Sequence, residues 1–273
     1  MATAAPALKL TNDNYHSLEA NQLFMSRGQY NDFLACEAMA MAKISGEYKE
    51  EERESLLAGR LFHAWNHGPD KLAEFFAKYR SEICKKDGEL KAPFVKVQSM
   101  IDCLRMDPFA MWVLQGQKEV ILTAFMFGCW WKVQIDSLNR EQGRLVELKS
   151  AKSIRAREYD RELREWVSFI EYWKYPRQAA IYTEVERLAS GRGLGEYLEP
   201  IMVVASKEDP PDKEIISLKE PDRYAAELRE IEKNMPRILA VKAGKIEPAR
   251  CGCCAYCRLT KKLDQIVFYR EFE

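Results

Sequence analysis

Two acidic residues and a lysine lie close together in the segment WWKVQIDSLNREQGRLVELK, residues 130–149. The segment reads as two strands joined by a polar loop, with Asp136 ending the first strand and Glu147-x-Lys149 on the second. Strand side chains alternate between faces, so Glu147 and Lys149 share a face, and antiparallel pairing would bring Asp136 to it. Two carboxylates beside a lysine could bind a hard divalent cation and promote phosphodiester hydrolysis. The alternative is the charged solvent face of an ordinary hairpin.

Two further pairs of residues have the spacing of one helix face. Gly59 and His63 occur in AGRLFHAW, where the glycine would allow close approach one turn before the histidine. Gln178 and Tyr182 occur in PRQAAIYTE, where an amide and a phenol could orient a phosphate or a carboxylate. The alternatives are a satisfied, partly buried histidine and an ordinary half-buried helix face. Glu119, before the first strand, is an additional acidic candidate.

A local group of basic residues follows the second strand of the hairpin: Lys152, Arg155 and Arg157. These cations could pair with the phosphates of a nucleic acid. The alternative is a solvated, mixed-charge surface, because Glu158, Asp160 and Glu162 are interleaved with them. Lysine plus arginine equals aspartate plus glutamate at 42 each, so no global cationic field is available and nucleic-acid binding would require such local clustering.

Four of the eight cysteines crowd into the sequence CGCCAYC. Cys251, Cys254 and Cys257 give the spacing C-x-x-C-x-x-C, and a zinc ion or an iron–sulfur cluster normally takes four ligands. Cys36, in FLACEA, is the natural distant fourth ligand, and Cys253 is a local alternative for zinc. Binding of no metal is the third interpretation. The remaining cysteines read as isolated small apolar residues: Cys84, Cys103 and Cys129.

The chain has 273 residues, of which 47% are hydrophobic, enough for one large core. It contains neither an apolar run of membrane-spanning length nor a signal peptide, which predicts a cytoplasmic protein without a membrane partner. A mostly helical part is expected at residues 1–110, a core at 111–220, and a helix with the cysteine group at 221–273. Within a single domain of residues 1–273, these parts predict an α/β fold with a helical N-terminal cap.

Individual elements follow from periodicity and from capping signals. Ser26 is expected to open a helix, with Gln29 completing a capping box, and the periodic run YNDFLACEAMAMAKI follows. A second helix is expected from about Lys49. Strands are expected at VILTAF, WWKVQID, RLVELKS, PIMVVAS and EIISL. Between the third and fourth strands the pattern predicts a long helical stretch that ends in Pro176–Ser190.

In chain order the candidate motifs are Gly59-x-x-x-His63, Asp136, Glu147-x-Lys149 and Gln178-x-x-x-Tyr182. This order resembles the RecB-like branch of the PD-(D/E)xK nuclease superfamily. The opening LTNDNYHSLEANQLFMSRGQYNDFLACEAMA and the closing CGCCAYC extend the resemblance over essentially the whole chain, to the RecE-like (exodeoxyribonuclease VIII-type) nucleases of phages and prophages. One departure is that Gln-Ile precedes Asp136, where the superfamily name has a proline.

The resemblance implies a restriction-endonuclease-like fold, a mixed central sheet flanked by helices, with a helical cap and a Cys-rich C-terminal hook. It assigns Mg²⁺ or Mn²⁺ ligation to three residues: Asp136, Glu147 and His63. Lys149 would position or help deprotonate the attacking water, or stabilise charge on the scissile phosphate. Gln178 and Tyr182 would support the site and contact the DNA backbone.

The resemblance also implies an activity and partners. The expected function is a Mg²⁺-dependent 5′ to 3′ exonuclease on linear double-stranded DNA. It would act in phage-type recombination in a bacterial cytoplasm, as a homo-oligomer with a single-strand annealing protein of RecT type. In AddB-type and CRISPR-adaptation relatives, one cysteine before the core and three after it hold a [4Fe–4S] cluster, as Cys36, Cys251, Cys254 and Cys257 would here. Alternatives are an iron–sulfur nuclease of different polarity or single-strand preference, and a catalytically silent DNA-binding assembly protein.

Overall fold

The computed structural model describes residues 4–50, 54–160, 163–263 and 265–272. Its helices, in chain order, are α1 Leu18–Leu23, α2 Arg27–Ala35, α3 Glu37–Ser45, α4 Glu54–His67, α5 Pro69–Ile83, α6 Ala92–Arg105, α7 Pro108–Val113, α8 Phe169–Tyr172, α9 Tyr175–Ala189, α10 Pro221–Lys242 and α11 Ala255–Leu259, followed by a 3₁₀ turn at Tyr269–Phe272. The sequence predicts that a helix begins near Lys49. Residues 51–53, between Lys49 and the start of α4, lie outside the described residues, as does Glu162.

The strands are β1 Gln117–Met126, β2 Cys129–Asn139, β3 Arg144–Ala151, β4 Arg157–Asp160, β5 Glu165–Ser168, β6 Glu199–Ser206 and β7 Lys213–Ser217. Five of them form one mixed sheet in the order β1-β2-β3-β6-β7, and β4 pairs with β5 alone. β3 and β6 are parallel, and the other neighbours are antiparallel. A mixed central sheet flanked by helices is therefore the architecture of the described chain, as the sequence predicts.

Local sequence explains the hairpin that enters the sheet. Phe127 and Gly128 both have positive φ, 52° and 86°, the conformation that a two-residue turn between twisted strands requires. The central strands β3 and β6 are largely apolar because helices cover the sheet on both faces. Their parallel pairing requires a long crossover, which contains the β4–β5 hairpin, α8 and α9.

Two helical layers enclose the sheet. On one face, apolar side chains of α2, α3, α9 and α10 pack against β1, β2 and β3, with Trp131 and Ile181 fully buried. On the other face, helices α4 to α7 pack against β3 and β6 through residues such as Leu61 and Val146. Helix α4 thus comes from one layer and α9 from the other, and both reach the middle of the sheet. Among the described helices, none combines the length and the apolar character needed to cross a bilayer.

The structure corrects three sequence predictions. The periodic run after Ser26 is two helices, because Cys36 between α2 and α3 is extended. The capping box is half formed: Ser26 Oγ accepts the Gln29 N–H at 3.3 Å, but the Gln29 side chain donates to Asn21 O. The stretch between β3 and β6 is not one long helical stretch, since residues 157–160 and 165–168 pair as strands.

Candidate active site

Asp136 lies where β2 and β3 separate. The antiparallel ladder between them ends at the pair Ser137 and Val146, one residue short of Asp136 on β2 and of Glu147 on β3. The Asp136 Oδ2 atom accepts the backbone N–H of Leu148 at 2.7 Å. His63 on α4 brings its Nδ1 to 3.1 Å from Asp136 Oδ1. Both oxygens of this buried carboxylate are therefore held, one by a strand and one by a helix.

Glu147 is the second buried carboxylate of the site, with 8% of its surface exposed. Its Oε2 atom accepts from Lys149 Nζ at 2.8 Å and from Gln178 Nε2 at 2.5 Å. Within the described chain, Glu147 Oε1 and Gln178 Oε1 are buried and have no hydrogen-bond partner. An unpartnered buried carboxylate oxygen is costly unless another group satisfies it, and a cation would do so.

Glu119 joins His63 and Asp136 in a group whose potential ligand atoms all lie within 4.8 Å of one another. In the β1–β2 register Lys118 faces Ser137 and Val120 faces Ile135, so Glu119 lies opposite Asp136. Its φ of 51° is unusual for a non-glycine residue, and the β1–β2 ladder skips the pair of Glu119 with Asp136. The sequence analysis placed Glu119 before the first strand, and this was wrong: the residue lies within β1.

The charges of the site perturb one another. Burial and the nearby Asp136 carboxylate raise the pKa of Glu147 to about 7, and the same two causes raise the pKa of Glu119 to about 7. Burial also opposes ionisation of Asp136, but His63 and Lys149 outweigh it and lower the pKa of Asp136. Burial lowers the pKa of Lys149 and His63, yet the adjacent carboxylates leave both raised. The acidic cluster therefore lacks enough protein cations to ionise fully near neutral pH.

Residues that the motifs did not identify hold α4 against the sheet. Asn66, one turn after His63, donates from Nδ2 to Asp136 O and Ser137 Oγ, each at 3.3 Å. Lys118 Nζ donates to Asn66 Oδ1 and to Ser137 Oγ, each at 2.8 Å. This polar network fixes the distance between the histidine helix and the strand that carries Asp136. Its sequence signal is only the i, i+3 spacing from His63.

Aromatic residues form another part of the wall. Tyr182 is half-buried on α9, and its pKa is raised well above the usual value by burial and by the Glu147 charge. Lys149 Nζ lies 5.8 Å from the ring centroid of Tyr175. Tyr15 from the N-terminal segment is buried and donates to Lys132 O at 3.3 Å, and burial together with the Glu147 charge raises its pKa. The sequence pattern gave no indication of Tyr15 or Tyr175.

The three basic residues predicted to bind DNA follow β3 but do not form one open group. Lys152 and Arg157 are exposed. Arg155 is exposed too, but its guanidinium forms ion pairs with Asp212 at 3.2 Å and Glu214 at 2.7 Å. Its charge is therefore largely balanced within the chain.

Four cysteines come together away from the sheet. The Sγ atoms of Cys36, Cys251, Cys254 and Cys257 all lie within 4.8 Å of one another. Cys36 Sγ is 3.5 Å from Cys257 Sγ, although the two residues are far apart in sequence. Backbone N–H groups, chiefly that of Cys254, lower the pKa of Cys251 to about 6, which favours its metal-binding thiolate form. This is the set of four that the sequence analysis selected, while Cys253 is outside the group.

The residues present fit a hard divalent cation. Asp136 and Glu119 offer oxygen ligands and His63 offers a nitrogen. Glu147 lies outside that group of three, but one of its buried oxygens has no hydrogen-bond partner among the described residues. A cation there would offset the burial and the carboxylate repulsion that together raise the pKa of Glu147 and Glu119. Lys149, held at the edge of this cluster by Glu147, can stabilise an anionic oxygen. The arrangement is suited to metal-assisted hydrolysis of a phosphodiester.

Known proteins provide an independent comparison. The chain is similar to the crystal structure of a candidate exonuclease from Eubacterium rectale, with a TM-score of 0.89 and 32% sequence identity over 97% of this chain and 98% of that one. None of the curated proteins matches it. Residues 26–260 match the model of a family described as PDDEXK-like domain of unknown function (DUF3799). This match covers most of the sequence and includes the candidate site, and the chain therefore belongs to that PDDEXK-like family.

Proposed function

We propose that the protein is a metal-dependent DNA exonuclease that hydrolyses phosphodiester bonds at the ends of linear double-stranded DNA. The observation that carries this proposal is that Asp136 binds the strand of Glu147 and Lys149 where β2 and β3 separate, while a buried Glu147 oxygen has no hydrogen-bond partner among the described residues. A catalytically silent assembly protein is the weaker alternative, because both carboxylates and the lysine are retained and Glu147 contacts Lys149.

Each side chain has a distinct role in this proposal. Asp136, Glu147 and His63, with Glu119 added by the structure, would hold Mg²⁺ or Mn²⁺, which when bound polarises the phosphate and lowers the pKa of water. Lys149 orients the attacking water or stabilises the developing negative charge. Gln178 holds the Glu147 carboxylate in place through its 2.5 Å hydrogen bond. Gln178 and Tyr182 also face the DNA backbone in this assignment.

The finer features of the proposal rest on the family resemblance. These features are the 5′ to 3′ polarity, which leaves a 3′ overhang, the homo-oligomeric state and the RecT-type annealing partner of a phage-type recombination system. The relative from E. rectale supports only the exonuclease activity itself. For phosphate contacts outside the metal site we favour Lys152 and Arg157. Arg155 is the weakest of the three candidates because Asp212 and Glu214 already balance its charge.

For the cysteine group we propose a [4Fe–4S] cluster, with zinc as the alternative. Four thiols from two distant parts of the chain converge, and Cys36 and Cys257 are buried. A thiolate set suits either metal centre. The same group supports a second candidate function, an iron–sulfur nuclease with the opposite polarity or a single-strand preference.

The direct test uses purified protein with end-labelled linear duplex and with closed circular duplex, in Mg²⁺ or in EDTA. We expect Mg²⁺-dependent loss of the linear DNA only, with the 5′ and 3′ labels lost at different stages of digestion. Glu147→Gln should abolish the loss, while Glu141→Gln, at an exposed turn position, should not. Cleaved circles would indicate an endonuclease, and intact DNA under all conditions would indicate the silent assembly protein.

A further inference from the structure

The β4–β5 hairpin has two chemically different faces. Opposed residues in an antiparallel pair share a face, and the observed register pairs Arg157 with Ser168 and Tyr159 with Trp166. One face therefore consists of Arg157, Tyr159, Trp166 and Ser168, all of them exposed. The other consists of Glu158, Asp160, Glu165 and Val167. All three carboxylates of the two strands are on the second face, so the first, which we term the aromatic face, carries a cation and two rings without an acid.

Exposure of the two rings of the aromatic face to water is unfavourable in free energy. Tyr159 is 46% exposed and Trp166 is 61% exposed, and their ring centroids are 5.8 Å apart in an edge-to-face arrangement. A hairpin of two four-residue strands gains little stability from such exposed rings. Arg157 Nη2 donates to Trp166 O at 2.6 Å, which holds the guanidinium next to the tryptophan. Exposed rings beside a fixed cation are the features of a surface that stacks bases and contacts a phosphate backbone.

The hairpin is connected directly to the candidate active site. In the sequence it lies between β3, which carries Glu147 and Lys149, and α9, which carries Gln178. Lys174 Nζ binds Asp160 Oδ2 at 2.8 Å, and the following residue, Tyr175, lies beside Lys149. Asp160 lies on the face opposite the aromatic face. The ion pair therefore anchors the hairpin and leaves the aromatic face in solvent.

We propose that the aromatic face binds a single, unpaired DNA strand next to the active site by stacking its bases on Trp166 and Tyr159. The proposal rests on the proposed function for its nucleic-acid substrate and assigns it a second binding surface. Stacking tolerates any base sequence, because every base has a π-face, which suits an enzyme that degrades DNA without sequence preference. Arg157 supplies the contact with the backbone phosphate.

The experiment measures binding without cleavage. All proteins carry Glu147→Gln, and fluorescence anisotropy reports the affinity for a labelled thymidine oligonucleotide of about twenty nucleotides and for a blunt duplex of the same length. Trp166→Ala should weaken single-strand binding about tenfold and duplex binding far less. Phe109→Ala is the matched control, because Phe109 is 59% exposed and stacked on another ring, but lies in the helical layer on the other face of the sheet.

A second measurement distinguishes the loss of base stacking from misfolding of the hairpin. The parent protein is titrated with an oligonucleotide that has the same backbone but in which abasic sites replace the bases. Affinity should fall about tenfold for the parent and remain nearly constant for Trp166→Ala. Equal binding of normal and abasic strands by the parent, or equal loss of single-strand and duplex binding in the variant, would overturn the proposal. These readouts do not require hydrolysis, so an inactive enzyme that still stacks DNA would contradict only the proposed function.

Discussion

The Asp136 carboxylate accepts the backbone N–H of Leu148 at the point where the β2–β3 ladder ends. A side-chain oxygen thus replaces the strand acceptor that the separated β2 no longer provides. This hydrogen bond ties Asp136 to the strand that carries Glu147 and Lys149. Because its second oxygen is bound by His63, the carboxylate is fixed before a substrate or a metal arrives.

Lys149→Ala should lower the rate of DNA hydrolysis by roughly 10²–10³-fold, the usual cost of removing one preorganised charge-stabilising donor. The fold should survive, because Glu147 can take up a proton once its cationic partner is gone. Rates on linear duplex and thermal melts of the same preparations measure both effects. Lys86→Ala, at an exposed position in the turn after α5, is the control. Near-normal turnover by Lys149→Ala would remove this lysine from the chemistry.

Glu119→Gln should weaken metal binding at least about tenfold, because an amide is a poorer ligand for a hard cation than a carboxylate. Titration calorimetry with Mn²⁺ measures the affinity directly, independently of DNA cleavage. Glu141→Gln, at an exposed position in the β2–β3 turn, should bind Mn²⁺ as the unaltered protein does. An unchanged Mn²⁺ affinity in Glu119→Gln would mean that Glu119 is only a neighbour of the metal site.

The metal-free protein should lose stability as pH rises from about 5 to 8. Glu119 and Glu147 each have a folded pKa of about 7, above their ordinary value of 4.5, so their contribution is complete below that ordinary value and is lost as pH rises through 7. The raised pKa of His63 acts in the same direction, whereas Asp136, with a lowered pKa, contributes a change only in more acidic solution.

Urea unfolding at several pH values, after removal of divalent cations, measures this effect. Between about pH 5 and pH 8, the free energy of unfolding of the unaltered protein should fall. The fall should be about 1–3 kcal/mol larger than in the variant with both Glu119→Gln and Glu147→Gln. Added Mg²⁺ should reverse the fall at pH 8, because the ion binds the ionised carboxylates. Parallel pH profiles for the two proteins would contradict the raised pKa values.

Cys254→Ser should remove the visible colour and the iron of an anaerobic preparation and lower its melting temperature. Three thiolates hold a four-iron cluster less well than four, and the cysteine group joins the start of α3 to the C-terminal segment. Cys84→Ser is the matched control, since Cys84 lies outside the group. Absorption spectra and metal analysis provide the readout. A colourless unaltered protein that contains zinc would select the alternative metal.

Strand periodicity alone groups three residues of the candidate site. Residues two apart on a strand share a face, and opposed residues of a hairpin do too, so Asp136, Glu147 and Lys149 could be grouped without a structure. The contact between His63 and Asp136 joins elements 73 positions apart and came only from the family resemblance. The Asn66 and Lys118 network was not predictable, because asparagine and lysine on a helix and a strand edge are ordinary surface residues.

The β4–β5 hairpin was missed because its composition favours another structure. Three arginines and three glutamates occur in REYDRELREWVS, and both residue types are good helix formers. Burial of Val167 and the ion pair of the buried Asp160 with Lys174 override that preference. The break at Cys36 was missed for a different reason: no glycine or proline marks it. It is stabilised by distant contacts, including those of the following Glu37 with Arg237 and Ala249.

The contact between Cys36 and Cys257 sets the order in which the fold can be completed during synthesis. The Arg237 guanidinium, the Ala249 amide and the Cys257 thiol that surround the start of α3 follow it in the chain by 200 positions or more. Helix α3 therefore leaves the ribosome well before its partners have been made. A nascent polypeptide that stops short of Cys257 would present an unfinished surface to the cell's proteases.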